Sequence, residues 1–310
     1  MKIAVVGCGA MGSVYAALLG DSGNEVWALS RRLDHVEAIE RNGLRLQGPS
    51  GDRTVRIRAT TDSTQVGLCD LVIIATKVRD VKAGAELAKP LIGEGTAVLT
   101  IQNGIGGPDA AAAVLGFDRI LVGVASGFGA SLRGPGHAQH TGWEVMRLGE
   151  LNGPVTPRLE AIANVWRAAG FNVECFDNID QLIWEKLICN AAFSGPCTIA
   201  EHTIGELIAD PDMWHLAAGC ATEAFRVARA RGIDLDFDDP VGYVRAFGLR
   251  HAEARPSMLL DHLAGRASEI DALNGAIPPA AAAVNLTAPF NEAVSSVVRA
   301  KERRRGMRDR

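Results

Sequence analysis

Apolar residues recur along the chain in two different rhythms. In the first half they come as short, β-branched-rich runs, as buried parallel strands do. Lys2 to Val6 is the first such run, and "SVYAALLGDSG" follows it as a helix ending near Gly20 to Gly23. "EVWALS" reads as the next strand, then "DLVIIATK" (70–77), "TAVLTIQNG" (96–104), "RILVGVAS" (119–126) and "FNVECF" (171–176). Strands alternating with helices predict an α/β fold around a parallel sheet. From Ile179 onward the period changes to that of helices. Asp210 with Pro211 marks a helix start and Gly232 a stop; Pro256 opens "SMLLDHLAG". Ser268 to Asp271 matches S-x-x-[DE], a capping box ahead of another helix that Pro278 and Pro279 close, and Thr287 with Pro289 begins the last helix. The expected architecture is a Rossmann-type dinucleotide-binding domain over residues 1–177, then an all-helical domain over 178–310.

The turn after the first strand carries chemistry. "GCGAMG" places Gly7, Gly9 and Gly12 between a strand and a helix, with the second strand close behind. In that context the first glycine permits the tight turn, the second lets a pyrophosphate approach, and the third lets helix and strand pack closely. The loop, with Cys8, Ala10 and Met11 between the glycines, is expected to hold phosphates on the helix-start N–H groups. At the end of the second strand an NAD site usually offers Asp or Glu; this chain has Ser30, Arg31 and Arg32. A guanidinium pairs with a 2′-phosphate, which a carboxylate repels, so the expected cofactor is NADP. Lys77 and Asn103 lie at expected strand ends, where open α/β sheets bind ligands, although Asn-Gly is also a common turn.

In the helical half, "WEKLICNAAF" (184–193) sets Lys186 and Asn190 four apart on one face of an otherwise apolar helix. A lysine there must reach water, meet a carboxylate or line a cleft. Near the hinge it would come close to a nicotinamide. Glu269 and Ser257 have equally plain readings, as an acid in a first helical turn and a helix-start residue. Composition leaves all three open.

The bulk numbers remove other classes. A net charge of −4 over 310 residues gives no electrostatic case for nucleic acid. The basic tail "KERRRGMRDR" reads as a solvated helix end. Six scattered cysteines without a C-x-x-C pair suit free thiols in a reducing compartment, and His137 with His140 lacks the companions a metal site needs. No signal peptide or long apolar run is visible, so a cytoplasmic protein away from membranes is expected. The apolar helices of the second half could form a dimer face or simply a core.

Taken in order, "GCGAMG", "QNG", "WEKLICN", "RPSMLLD" and "GRASEIDALNG" resemble the ketopantoate reductases (2-dehydropantoate 2-reductases), over nearly the whole chain. The resemblance implies NADPH-dependent reduction of a 2-oxo acid to a 2-hydroxy acid, in pantothenate synthesis for the leading substrate. It implies that Lys186 is the general acid, that Asn103 and Asn190 position substrate and lysine, and that Ser257 contacts the substrate. It also implies that Glu269 interacts with substrate and orients the site, that Arg31 binds the 2′-phosphate, and that Lys77 lies near the cofactor. A half-buried lysine is expected to have a lowered pKa. Ser194, Gly195 and Ile204 depart from the family pattern at positions associated with the substrate side, which leaves a paralogue acting on another 2-oxo acid as the alternative. An NAD-dependent dehydrogenase running oxidatively is opposed by Arg31, and a non-catalytic NADP sensor by Lys186, Asn190 and Glu269 together.

Overall fold

The computed structural model describes residues 1–142 and 144–307. The chain forms two compact units, residues 1–102 with 106–179, and residues 103–105 with 180–310.

The first unit is built on an eight-stranded sheet. Strands β1 (Lys2–Val6) and β2 (Glu25–Leu29) flank helix α1 (Ala10–Asp21) in sequence, and α2 (Leu33–Asn42) follows. Strands β3 (Leu44–Gly48) and β4 (Gly51–Val55) form a hairpin, and β5 (Arg58–Thr60), β6 (Cys69–Ile74), α3 (Val81–Ala88) and β7 (Ile92–Thr100) come next. Helix α4 (Gly107–Leu115) leads to β8 (Ile120–Ser126), β9 (Gly129–Gly134), β10 (His137–Gly142) and β11 (Val145–Glu150), and α5 (Pro157–Ala168) to β12 (Val173–Cys175). The sheet order is β12-β11-β8-β7-β6-β1-β2-β5. The six strands from β5 to β8 are parallel, while β11 joins β8 antiparallel. That parallel order is the doubly wound dinucleotide-binding one, and its switch point lies between β1 and β6.

Periodicity alone did not reveal a second, four-stranded sheet, β4-β3-β10-β9. It packs on α1, which also packs on β1 and β2 of the main sheet. This accounts for the run from Gly12 to Leu19, every residue of which is buried. A helix with one exposed face would carry a polar stripe; α1 has two sheets to satisfy. Tyr15, Trp166 and Phe171 form an aromatic cluster in this core, with Tyr15 and Trp166 edge to face at 5.1 Å.

Two expected strand ends move. β6 stops at Ile74, so Lys77 sits in the loop beyond. β7 stops at Thr100, and Gln102 turns back to donate to the carbonyls of Ile74 (2.6 Å) and Thr76 (3.2 Å). Gly104 and Gly106 then take positive φ, which ends strand geometry.

The second unit is helical: α6 (Ile179–Ala200), α7 (Ile204–Ala209), α8 (Pro211–Ala230), α9 (Pro240–Arg250), α10 (Ser257–Leu263), α11 (Ile277–Ala282) and α12 (Pro289–Arg305). Caps explain several starts. Asp210 accepts from the amides of Asp212 and Met213, Asp239 from those of Val241 and Gly242, and Thr203 forms a capping box with Glu206. The apolar helix faces form one core, with α6 contributing Trp184, Leu187, Ile188, Ala191 and Ala192. The expected capping box at Ser268–Asp271 is absent. Ser268 instead bonds Glu302, Asp271 pairs with Arg299, and the chain makes only short 3-10 turns at Ile270–Ala272 and Asn274–Ala276. Pro278 and Pro279 begin α11 rather than closing a helix, since proline lacks only an N–H that a first turn does not need. The last residues of the basic tail, 308–310, lie outside the described residues.

Candidate active site

In the first unit the glycines crowd around the switch point. Gly7 has φ +92°, and a Cβ there would lie 2.8 Å from the Thr76 amide nitrogen. A Cβ on Gly12 would lie 2.5 Å from the Gly7 carbonyl oxygen. Gly9 differs: nothing lies within 4 Å of where its Cβ would be. It caps α1 without any side-chain bond, so the first-turn amides of Ala10, Met11 and Gly12 have no capping acceptor. The amides of Gly7 and Cys8 both bond the carbonyl of Leu29 at the end of β2 (3.0 and 2.9 Å), which fixes the loop's height.

Cys8 contributes backbone only. Its thiol is buried against Ser13, and burial pushes its pKa up to about 11. Ser13 is in turn bonded to His35 Nε2 at 3.1 Å, and His35 Nδ1 accepts from the Gly136 amide at 3.0 Å. That acceptor role leaves the proton on Nε2, so the ring is the neutral Nε2–H tautomer. Burial first, then Arg32, lowers the His35 pKa in the same sense. This buried chain from the second sheet to the glycine loop escaped sequence reasoning. The all-apolar α1, interrupted by Ser13, was the one available signal.

Arg31 and Arg32 have different surroundings. Arg32 is held by its near neighbour Asp34, with bonds of 3.2 and 2.7 Å. Arg31 projects with 81% of its side chain exposed and meets Asp80 at 3.2 Å. Asp80 belongs to the loop after β6 that also carries Lys77, whose carbonyl accepts from the Asp80 amide at 2.9 Å. The fold thus brings Gly7, Gly9, Gly12, Arg31 and the Lys77 loop to one end of the parallel sheet. These residues fit a dinucleotide phosphate: open space at Gly9, uncapped helix amides and a guanidinium at the tip of β2.

In the second unit, Lys186 and Asn190 lie one turn apart on α6, both half-buried. Burial lowers the Lys186 pKa from 10.5 to about 8, and the charge of Glu269 opposes the fall. Glu269, half-buried, precedes the turn at Ile270–Ala272, and Ser257 is the exposed first residue of α10. Asn103 packs with this unit and not with the sheet that precedes it: at neighbouring Gly104, a Cβ would sit 2.0 Å from the Ala272 carbonyl oxygen. The glycine is what allows residues 103–105 to lie against the segment bearing Glu269.

The three departures lie inside the unit. Ser194 and Ile204 are buried, and a Cβ on Gly195 would lie 2.3 Å from Val294 Cγ1 and 2.6 Å from Asn274 Oδ1. Gly195 therefore packs α6 against α12 and the Asn274 turn. Asn274 itself donates to the carbonyl of Ala191 (2.8 Å) and to Asn291 (3.0 Å). Pro196 lacks the N–H that would pair with the Ala192 carbonyl, one residue beyond the Ala191 carbonyl that Asn274 reaches.

His137 bonds Gln47 and His140 bonds Ser50. Among the described residues no group of three His, Cys, Asp or Glu side chains is placed to hold a metal, and no helix is long and apolar enough to cross a membrane. The six cysteines are free thiols.

Residues 3–153 match the family described as "Ketopantoate reductase PanE/ApbA", and residues 178–302 match "Ketopantoate reductase PanE/ApbA C terminal". A 2-dehydropantoate 2-reductase of Streptococcus pyogenes is 30% identical over 305 residues, covering 97% of this chain and 98% of the relative. The crystal structure of a PanE/ApbA family ketopantoate reductase from Ralstonia eutropha superposes with a TM-score of 0.90 at 32% identity, over 99% of this chain and 100% of that one. A D-mandelate dehydrogenase with NADH and anilino(oxo)acetate has a TM-score of 0.87 at 28% identity, over 99% and 100%. With both halves matched, in order and nearly end to end, this chain belongs to the ketopantoate reductase family.

Proposed function

We propose that the protein reduces 2-dehydropantoate to pantoate with NADPH, in pantothenate synthesis. The observation that carries this reading is Lys186: a half-buried ammonium on a largely apolar helix, one turn from Asn190, with Glu269 opposing the loss of its charge. Gly7 to Gly12, with Cys8, Ala10 and Met11 through their backbone, hold the pyrophosphate. Arg31 takes the 2′-phosphate and Lys77 lies beside the cofactor. The cofactor, when bound, supplies a hydride to the ketone carbon. Negative charge then grows on the ketone oxygen. The Lys186 ammonium stabilises that charge and gives up its proton to make the hydroxyl. With a pKa of about 8 the group is still protonated at neutral pH, yet is a stronger acid than an ordinary lysine. Asn103 and Asn190 orient substrate and lysine, Ser257 contacts the substrate, and Glu269 keeps the ammonium charged and oriented. Free thiols suit the reducing cytoplasm, where we place the enzyme.

A second reading is a paralogue acting on another 2-oxo acid. The likeness to D-mandelate dehydrogenase favours it, as do Ser194, Gly195 and Ile204, which depart from the family pattern inside the helical unit. A steady-state NADPH oxidation assay decides. Ketopantoate should give the highest kcat/KM in a panel including branched and aryl 2-oxo acids. A higher value for an aryl or linear acid selects the second reading, and no turnover with any of them ends both.

A further inference from the structure

The segment that carries Glu269, residues 264–276, has little backbone structure of its own. Ala264, Gly265 and Arg266 bond back to carbonyls of α10, and beyond them the backbone bonds are those of two short turns, with the amides of Ala272 and Leu273 on the Glu269 carbonyl at 3.0 and 3.2 Å. Side chains outside the turns hold it in place: Asn274 reaches α6 at Ala191, Arg266 reaches Asp261 of α10, and one face of α12 makes three further contacts. Glu302, Arg299 and Asn291 meet Ser268, Asp271 and Asn274 in antiparallel order. Glu302 Oε1 accepts from the Ser268 amide (2.8 Å) and the Ser268 hydroxyl (2.6 Å). The same oxygen accepts from His262 Nε2 at 2.9 Å, on the helix that begins at Ser257. Ser268 Oγ also accepts from the Ile270 amide at 3.3 Å, so Glu269 is bracketed on both sides. The carboxylate is 14% exposed and the imidazole 1%. A buried carboxylate with three donors is a rigid joint, because losing any partner leaves a polar group without one.

We propose that Glu302 is a positioning residue for the reaction: its carboxylate sets the place of Glu269 and of the helix headed by Ser257, and through Glu269 the state of Lys186. The inference rests on the reading of Lys186 and Glu269 given above. His262 is the ionisable group bonded to Glu302 from α10. Of the other cations on α12, Arg299 pairs with Asp271, Lys301 and Arg305 pair with Glu201, and Arg303 and Arg304 are exposed. Glu269 is the charge that supports the Lys186 ammonium against burial. If the Glu269 carboxylate moves away, burial acts unopposed and the ammonium loses its proton at lower pH.

The experiment compares Glu302→Ala, Glu302→Gln, Ser268→Ala and Glu269→Gln. Glu302→Ala should lower kcat by about 10-fold or more while leaving the Kd for NADPH within about twofold, as expected of a change that leaves the glycine-loop unit untouched. Its kcat–pH profile should lose activity at lower pH on the alkaline side, in the same direction as Glu269→Gln. Glu302→Gln keeps an acceptor oxygen and should restore kcat to within about threefold of wild type. Adding Glu302→Ala to Glu269→Gln should cost little more, since the two act through one link. Ser268→Ala should shift the profile the same way by less, and it carries the test if the alanine variant of Glu302 does not fold. An alkaline limb unmoved by Glu302→Ala and Ser268→Ala but shifted by Glu269→Gln overturns this inference alone. Normal turnover by Lys186→Ala overturns the reading of the site itself.

Discussion

Replacing Lys186 with Met separates what the lysine does for chemistry from what it costs the fold. The fall of its pKa from 10.5 to about 8 means that the folded protein disfavours the charged form. At about 1.4 kcal/mol per pKa unit, the penalty near neutral pH is roughly 3 kcal/mol. Methionine fills a similar volume without a charge. The opposing pull of Glu269 is already contained in that net fall, so the expectation is a variant more stable by up to about 3 kcal/mol at pH 7. The sign with pH follows from proton counts. Between about 8 and 10.5 the unfolded chain binds the Lys186 proton and the folded chain does not, so wild-type stability rises there. The advantage of Lys186→Met is therefore full below about 8 and fades as pH rises towards 10.5. Urea unfolding at pH 7 and pH 10, with NADPH oxidation at pH 7, reads both sides. Turnover should drop by about 10²-fold or more, the usual worth of a positioned proton donor. Turnover near wild type, or a stability difference identical at both pH values, would refute the reasoning.

Other outcomes follow from the same geometry. Arg31→Ala should weaken NADPH binding by about 1.5–3 kcal/mol and leave NADH binding nearly unchanged, read by fluorescence titration; Arg32→Ala, already occupied by Asp34, should change neither by more than a few tenths of that. Gly12→Ala should abolish tight binding of either dinucleotide, because the added carbon meets the Gly7 carbonyl, a backbone atom that cannot step aside without moving the loop. Gly195→Ala should lower stability by about 1–3 kcal/mol in thermal unfolding, since Val294 and the Asn274 side chain fill the space its Cβ needs. The wild-type kcat–pH profile should lose activity through an apparent pKa of about 8 as Lys186 gives up its proton, and Lys186→Arg should lack that limb.

The legible parts of this protein were those whose physics is local. An apolar run before G-x-G-x-x-G, proline after aspartate at helix starts, and a change from strand to helix period each depend on residues within a turn or two. Arg31 was legible as a guanidinium at the tip of the second strand, and its position there is what the structure adds. Lys186 and Asn190 were legible as a shared helix face, although their roles came from the resemblance. The second sheet was not, because β3, β4, β9 and β10 are short, largely polar on one face, and stable only against α1. Nor was the true shape of residues 268–276, where the pattern S-x-x-D invited a helix.

The sequence by itself settled the parallel nucleotide fold, the helical second half and which charged residues stand in apolar company, since periodicity and turn chemistry act over a few residues. Tertiary structure alone decided that Ser268 serves Glu302 instead of capping a helix, and that Arg32 is tied down while Arg31 projects. It also decided that Asn103 packs with the helical unit and that burial and Glu269 together set the lysine's acidity. The reason is one of range: those outcomes depend on partners tens of residues away, whose approach no local pattern records.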